Sequence, residues 1–268
     1  IKKSPVVKKI FATPGNPGIF SIATNPNIYY NNSSEIINFC KNNSIDLVVI
    51  GPELPLEQGL TDILKEYGIN VFGPSKKAAR LETSKIYAKE FMKRHKIPTA
   101  KFAHFGVANR IQAHYYLDTH PLPIVLKADG LAAGKGVIIA NTHNDAHKVL
   151  DLMYQGLFKE ASSQVVIEEF LEGQEASILA ISDGFNFVTL APSQDHKRAF
   201  DNDEGKNTGG MGSYAPTPLI TENLLEEVKN RIIIPTIKGM NEENNPFIGC
   251  LYVGLIISDR LQLGKNRK

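Results

Sequence analysis

The chain has 268 residues, a net charge of +2 at pH 7, and charged residues at 22% of its positions. This length permits two domains, and the composition is ordinary for a soluble globular protein. The near-neutral charge gives no basic surface for nucleic acid. No apolar run approaches the roughly 18 residues that cross a bilayer, so we expect a cytoplasmic protein without a membrane partner. Cys40 and Cys250 lie far apart in apolar runs, and we expect both to be buried free thiols.

The first third of the chain alternates between strand and helix patterns. The predicted elements are a strand at 6–12, a helix starting near 33–35, a strand at 46–50, a helix at 55–67 and a strand at 69–72. This alternation predicts βαβ units on a parallel sheet, which binds ligands at the carboxyl ends of its strands. Two turn-forming segments, 14–18 (PGNPG) and 51–53 (GPE), fall at such ends.

A domain boundary is predicted between residues 73 and 98. Ser75 and Ser84 can each cap a helix, and the second helix runs to about residue 95. Lys85 lies in its first turn, where a cation opposes the helix dipole by about 0.3–1 kcal/mol. A ligand phosphate at this helix start would remove the conflict; the alternative is a solvated lysine.

Residues 124–140 (IVLKADGLAAGKGVIIA) form two β-branched runs around a glycine-rich loop. Gly130, Gly134 and Gly136 let the backbone amides approach a ligand, and Lys127 and Lys135 can neutralise phosphate oxygens. The pattern predicts a lid over a nucleoside triphosphate; an ordinary glycine-rich hairpin loop is the alternative. A Walker-type loop is excluded because only three residues separate Gly130 from Gly134, and a strand follows instead of a helix.

Further elements follow the glycine loop. They are a helix at 144–153, a strand at 164–170, a hairpin of 176–181 with 186–190, a helix at 222–240 interrupted by Pro235, and a strand at 249–257. Asp183-Gly184 predicts a type I′ turn. Successive side chains of a strand point to opposite faces, so either Glu168 or Glu169 should point inward and need a partner. The alternative is a solvated strand end. Residues 193–212 have little to bury, so we expect a functional loop.

Six segments carry a family resemblance: PGNPG (14–18), GPELPL (51–56), KADGLAAGKGV (127–137), EEFLEGQEAS (168–177), SQDHKR (193–198) and NTGGMG (207–212). Together they resemble the phosphoribosylamine–glycine ligases, also called glycinamide ribonucleotide synthetases, of the ATP-grasp superfamily. The resemblance implies a mixed α/β and α+β chain, with a Rossmann-like parallel-sheet domain at 1–82 before an ATP-grasp domain at 83–268. Its lid subdomain would span about 122–190.

The resemblance also implies an activity and residue roles. The family couples glycine to 5-phosphoribosylamine with ATP, through glycyl phosphate, in purine biosynthesis, and we expect a monomer. For ATP, the implied residues are Lys85, Lys127, Gly130, Gly134, Lys135, Gly136, Glu168, Glu169, Phe170, Leu171 and Glu175. For phosphoribosylamine they are Gly15, Asn16, Gly51 and Glu53. For glycine and the reacting phosphate they are Asp195, Lys197, Arg198, Asn207, Thr208, Gly209 and Gly210, with Lys127, Asp195, Lys197 and Arg198 as the catalytic set.

Both ends of the chain depart from the family pattern. The family begins one strand earlier, and after the strand at 249–257 it continues to a Glu and an Asn that hold Mg²⁺ (or Mn²⁺). No such residues follow that strand here, so we expect a chain truncated at both ends, without metal ligands and with little turnover alone. Two alternatives stay open: another ATP-grasp ligase or carboxylase, and an inactive nucleotide-binding fragment.

Overall fold

The computed structural model describes residues 1–132, 136–158, 161, 163–201 and 204–258. The chain divides into two compact units, Ile1–Lys76 and Lys77–Lys268. Among the described residues, no helix has both the length and the apolar character that crossing a membrane requires.

The first unit holds a small parallel sheet with helices. Its elements are α1 (Ser33–Asn42), β1 (Val48–Val49), α2 (Glu53–Glu57), α3 (Leu60–Glu66) and β2 (Val71–Phe72). Strands β1 and β2 pair in parallel, as the βαβ pattern predicts. Apolar side chains of α1, α3 and the strands bury one another, with Leu64 fully enclosed and Cys40 buried as expected. Asn32 caps α1, since its side chain accepts the Glu35 amide.

Three predictions for the first unit are wrong. Residues 6–12 form no strand; Phe11 makes only an isolated parallel bridge with Thr24, too little pairing to hold an extended ladder. The helix predicted at 55–67 is two helices, because Gly59 takes a left-handed φ of 85° between α2 and α3. Ser75 caps no helix, because the chain turns helical only at α4 (Arg80–Thr83), after Ala79.

The second unit combines antiparallel sheets with helices. Its remaining elements are α5 (Lys85–Arg94), β3 (Phe102–Gly106), α6 (Arg110–Thr119), β4 (Ile124–Ala128), β5 (Val137–Ala140), α7 (His143–Tyr154), β6 (Gln164–Glu169), β7 (Gln174–Asp183), β8 (Phe187–Thr189), β9 (Gln194–Phe200), β10 (Glu204–Tyr214), α8 (Glu222–Val228), α9 (Ile234–Glu242) and β11 (Ile248–Ile257). A π-helical turn, Lys229–Ile233, joins α8 to α9 just before Pro235, where an interruption was predicted.

Four strands form the sheet that carries the glycine loop, in the order β3-β6-β4-β5. All three pairings are antiparallel, and β4 and β5 are the two strands predicted on either side of the glycine loop. Helices α6 and α7 cover one face, where Leu117, Leu150 and Met153 pack against Val165 and Ile167 with no exposed surface. Burial of side chains this large, at about 1.5–3 kcal/mol each, makes this sheet a firm base for the residues on its other face.

A second sheet, in the order β11-β7-β8, packs its buried face against α5, α8 and α9. Strand β11 alternates strictly along 249–254, so Leu251 and Val253 are buried while Cys250 is exposed. The expectation of a buried Cys250 is therefore wrong, because an apolar run in a one-sided sheet still places alternate residues outward. The β7–β8 turn has a positive φ only at Gly184, so it is not type I′, which needs two.

Residues 193–212, expected to be a loop, are mostly two strands. Strands β9 and β10 form an antiparallel pair with shifts in register between Glu204 and Asn207 and between Asn207 and Gly212. Backbone hydrogen bonds across such a pair need no apolar side chains, which is why composition alone did not indicate these strands.

Candidate functional site

A buried carboxylate on β6 lies between two lysines from different elements. Glu168 is only 3% exposed, and its Oε2 is 2.9 Å from the Nζ of Lys127 on β4 and 2.9 Å from the Nζ of Lys89 on α5. The sheet register explains the first contact, because Lys127 pairs with Val166, and Glu168 is two residues further along the same face. The prediction that one of the two adjacent glutamates is buried with a partner is confirmed.

The charges in this cluster do not cancel. One carboxylate faces two ammonium groups, so the cluster carries a surplus positive charge. Burial lowers the pKa of the Lys89 ammonium, while the Glu168 carboxylate acts in the opposite direction. Isolated charges are costly away from water, and this surplus favours the approach of an anion.

The cluster opens into a cavity of about 530 Å³. Lys89, Lys127, Glu168 and Leu171 contribute to its lining. The apolar wall comes from α5, the segment after it, α8 and β11, and its members include Ile97, Val228, Leu251, Val253 and Leu255. A mostly apolar cavity of this size with a few charged groups at one side is typical of a small-molecule site, and the surplus positive charge favours an anionic group in the ligand.

Lys85 lies next to the glycine loop, but the anion at its helix start belongs to the protein. Its Nζ donates to the carbonyl oxygens of Asp129 (3.4 Å) and Gly130 (3.1 Å). The Asp129 carboxylate accepts from the Ile86 amide at 2.8 Å and from the Ser84 hydroxyl, so it compensates the helix dipole where a ligand phosphate was expected. Burial lowers the pKa of Lys85, and Asp129 acts in the opposite direction. Ser84 caps α5 as predicted.

The glycine loop is described only in part, since Gly134 and Lys135 lie outside the described residues. Position 136 has no room for a side chain, because a Cβ on Gly136 would lie 2.7 Å from the Cβ of Ala132. A Cβ on Gly130 would be 3.1 Å from the Cβ of Ala161. Both contacts indicate a tightly folded loop base at the end of β4.

Two of the four residues at the end of β6 and just after it, 168–171, line the cavity, namely Glu168 and Leu171. Leu171 lines it, whereas the Glu169 carboxylate accepts the Lys101 amide at 2.8 Å, and Phe170 is half-buried between them. Glu175 is the second residue of β7 and pairs in register with Ile256 of β11, which also lines the cavity. Residues paired directly across strands share a face, so Glu175 shares a face with Ile256, whereas Leu251, Val253 and Leu255 of the apolar wall lie on the opposite face of the sheet.

The residues expected to bind glycine lie together on one strand pair. In the β9–β10 register, Asp195 is opposite Ser213 and Arg198 is opposite Asn207, with Lys197 next to Arg198. Thr208, Gly209 and Gly210 continue along β10, where the Thr208 hydroxyl accepts the Gly210 amide at 3.0 Å. Among the residues of β9 and β10 whose side chains the structure describes, none lines the cavity.

The four residues expected to bind phosphoribosylamine belong to the first unit. Gly15 has a φ of +69°, and a Cβ there would meet the Phe20 ring at 2.4 Å. The Asn16 side chain accepts the Ile19 amide at 3.0 Å, which stabilises the turn. Gly51 has open space around it, and Glu53 is exposed at the start of α2.

Lys89 was not found from the sequence. A signal existed, because Lys85 and Lys89 are four residues apart on one helix and therefore share a face. A lysine on the buried face of a helix calls for a carboxylate partner, and Glu168 supplies it.

Comparison with known proteins identifies this architecture. The chain resembles the structure of phosphoribosylamine–glycine ligase from Thermotoga maritima with a TM-score of 0.76 and 35% identity, covering 94% of this chain and 60% of that one. A biotin carboxylase–ATP-analogue complex from Campylobacter jejuni shares the fold at a TM-score of 0.66 and 19% identity, covering 86% and 50% of the two chains. The chain therefore has the ATP-grasp fold, and the predicted fold class is confirmed.

Sequence comparison then gives the family. Residues 1–82 match the phosphoribosylglycinamide synthetase N domain, and residues 83–263 match the ATP-grasp (A) domain of the same synthetase. The phosphoribosylamine–glycine ligase of Ralstonia nicotianae is 45% identical over 258 residues, which is 96% of this chain and 61% of the relative. The chain belongs to the phosphoribosylglycinamide synthetase family, and it spans about three-fifths of the length of the curated relatives it matches.

Proposed function

We propose that the chain belongs to a ligase that joins glycine to 5-phosphoribosylamine with ATP, giving glycinamide ribonucleotide, ADP and phosphate in purine biosynthesis. The observation that carries this proposal is the family match over both of its consecutive domains, together with the charged cavity of the second unit. The same matches support a division into domains at residues 82 and 83. We further propose a cytoplasmic monomer with neither nucleic acid nor membrane as partner.

ATP is proposed to occupy the cavity and the neighbouring glycine loop. Lys127 and Lys85 would bind its phosphates, and the loop from Gly130 to Gly136, with Gly134 and Lys135, would cover them. The segment Glu168, Glu169, Phe170 and Leu171 would hold adenine, and Glu175 would bind the ribose hydroxyls. The shared cavity lining of Lys127, Glu168 and Leu171 supports this arrangement, since a flat base suits the apolar wall and phosphates suit the surplus charge.

The proposed chemistry is phosphoryl transfer followed by acyl transfer. The glycine carboxylate attacks the γ-phosphate and ADP leaves; the ribosyl amine then attacks the acyl carbon of glycyl phosphate, releasing phosphate and a proton. Such steps need positioned substrates and charge neutralisation and require no side-chain nucleophile. Asp195, Lys197 and Arg198, with Asn207, Thr208, Gly209 and Gly210, would hold glycine and the transferring phosphate. Gly15, Asn16, Gly51 and Glu53 would contact phosphoribosylamine.

ATP-grasp enzymes typically use a divalent cation with ATP, and Mg²⁺ or Mn²⁺ is proposed for the whole protein. Among the described residues, no group of three or more His, Cys, Asp or Glu side chains could hold a metal ion. We therefore assign no metal ligand among the described residues and derive no step through the ion.

The test is phosphate release from ATP by the full-length protein with glycine and phosphoribosylamine supplied. We expect release that depends on both substrates. Assays with D-alanine or bicarbonate in place of glycine test whether the protein uses the substrate of another enzyme class that shares the fold. Hydrolysis independent of either substrate, or a preference for bicarbonate, would refute the proposal. ADP binding without any turnover would instead indicate a nucleotide-binding fragment.

A further inference from the structure

Two lysines share one oxygen of Glu168, but they differ in how firmly they are held. Lys89 is almost fully buried, and its ammonium also donates to the Thr99 hydroxyl at 2.8 Å. The Phe102 ring lies 5.8 Å from the same ammonium. Lys127 is more exposed, with 25% of its side chain accessible against 10% for Lys89. Lys89 is therefore the fixed partner of the carboxylate, and Lys127 is the one with room to move.

Because Lys89 is held more firmly than Lys127, an arriving anion has to break only the ion pair between Lys127 and Glu168. With both lysines present, Lys127 can leave Glu168 and the carboxylate keeps a counter-ion within 2.9 Å. Without Lys89, Lys127 would be the carboxylate's remaining ammonium partner in this cluster, and its departure would leave a buried carboxylate uncompensated, which is strongly unfavourable. The two ammonium groups also repel each other across their shared oxygen, so Lys89 weakens the hold of Glu168 on Lys127.

We propose that Lys89 is a positioning residue for the nucleotide site: it stays paired with Glu168 and so releases Lys127 to bind the phosphates of a nucleotide. This inference rests on the proposed function, since it takes the arriving anion to be a nucleoside polyphosphate. In this role Lys89 acts through Glu168 and Lys127 and not on the reacting atoms.

Titration calorimetry with ADP tests the proposal on the whole chain. We expect Lys89→Met to weaken ADP binding at least tenfold, which is about 1.4 kcal/mol. Lys89→Arg retains the charge and should restore most of the affinity. Lys93→Met is the matched control, because Lys93 is exposed on the same helix, and it should change the affinity less than twofold.

A double-mutant cycle separates positioning from a merely structural role. In a Glu168→Gln background there is no carboxylate to neutralise, so adding Lys89→Met should change ADP affinity less than about threefold. The comparison of Glu168→Gln with the double variant still tests the proposal if the single Lys89→Met chain does not fold, which thermal melting would reveal. A loss of tenfold or more on adding Lys89→Met to Glu168→Gln would overturn the proposal.

The outcomes for the unmutated chain keep this inference distinct from the proposed function. If the chain binds ADP and Lys89→Met behaves like Lys93→Met, only the role of Lys89 fails. If the chain shows no ADP binding at all, the nucleotide site and the role of Lys89 fail together.

Discussion

Replacing Lys127 with alanine tests the nucleotide site directly. If Lys127 donates a charge-assisted hydrogen bond to a phosphate, its loss should cost about 1.5–3 kcal/mol of binding free energy, or roughly 10- to 150-fold in the ADP dissociation constant. The surplus positive charge of the cluster would disappear as well, since Lys89 and Glu168 would then balance each other.

The same substitution should have a limited effect on folding. Removing the single partner of a buried carboxylate costs about 3–5 kcal/mol, but Glu168 would keep Lys89 at 2.9 Å. We therefore expect a loss of about 1 kcal/mol in unfolding free energy, close to the worth of one hydrogen bond. Binding and stability should thus respond to different extents.

The assay is calorimetry with ADP, accompanied by urea unfolding. Lys65→Ala is the control, because Lys65 is exposed on α3 and should alter neither quantity beyond about 0.5 kcal/mol. Equal ADP dissociation constants for the Lys127→Ala and Lys65→Ala chains would refute the reasoning.

Two further predictions concern stability. Gly173 has a φ of +155°, and a Cβ there would lie 2.4 Å from a backbone oxygen at the end of β11, so Gly173→Ala should lower the unfolding free energy by about 1–3 kcal/mol in urea; an unchanged urea midpoint would contradict this. Burial raises the pKa of Tyr154 to about 12, so its neutral phenol contributes stability in full below its unfolded pKa of about 10 and loses it as the pH rises through about 12. Tyr154→Phe should therefore lose less stability between pH 9 and 12 than the unmutated chain in urea titrations, and parallel pH profiles would contradict the assignment.

The sequence was most informative where local chemistry and function coincide. Two β-branched runs bounded by glycines predicted the strands β4 and β5, and the adjacent Glu168 and Glu169 predicted one buried, paired carboxylate. Both signals depend on short-range rules, namely turn chemistry and strand alternation, which the fold does not change.

Three errors and omissions have a different cause, because each depended on pairing or packing with residues distant in sequence. Strand β3 is held by pairing with β6, more than fifty residues later, and its residues alone carry no strong alternation. Cys250 is exposed because its sheet is covered on one face, which an apolar run cannot reveal. The role of Lys89 can be recognised only once the fold has placed Glu168 next to it. Tertiary context decides such cases.

The central claim is that Lys127 and the chain from Glu168 to Glu175 hold one nucleotide. A crystal structure of the chain with ADP measures this most directly. We predict the phosphates within hydrogen-bond distance of the Lys127 Nζ, adenine against Leu171 in the cavity, and the ribose hydroxyls at the Glu175 carboxylate. ADP bound elsewhere, or bound to Lys127 with Glu175 out of reach, would contradict the account.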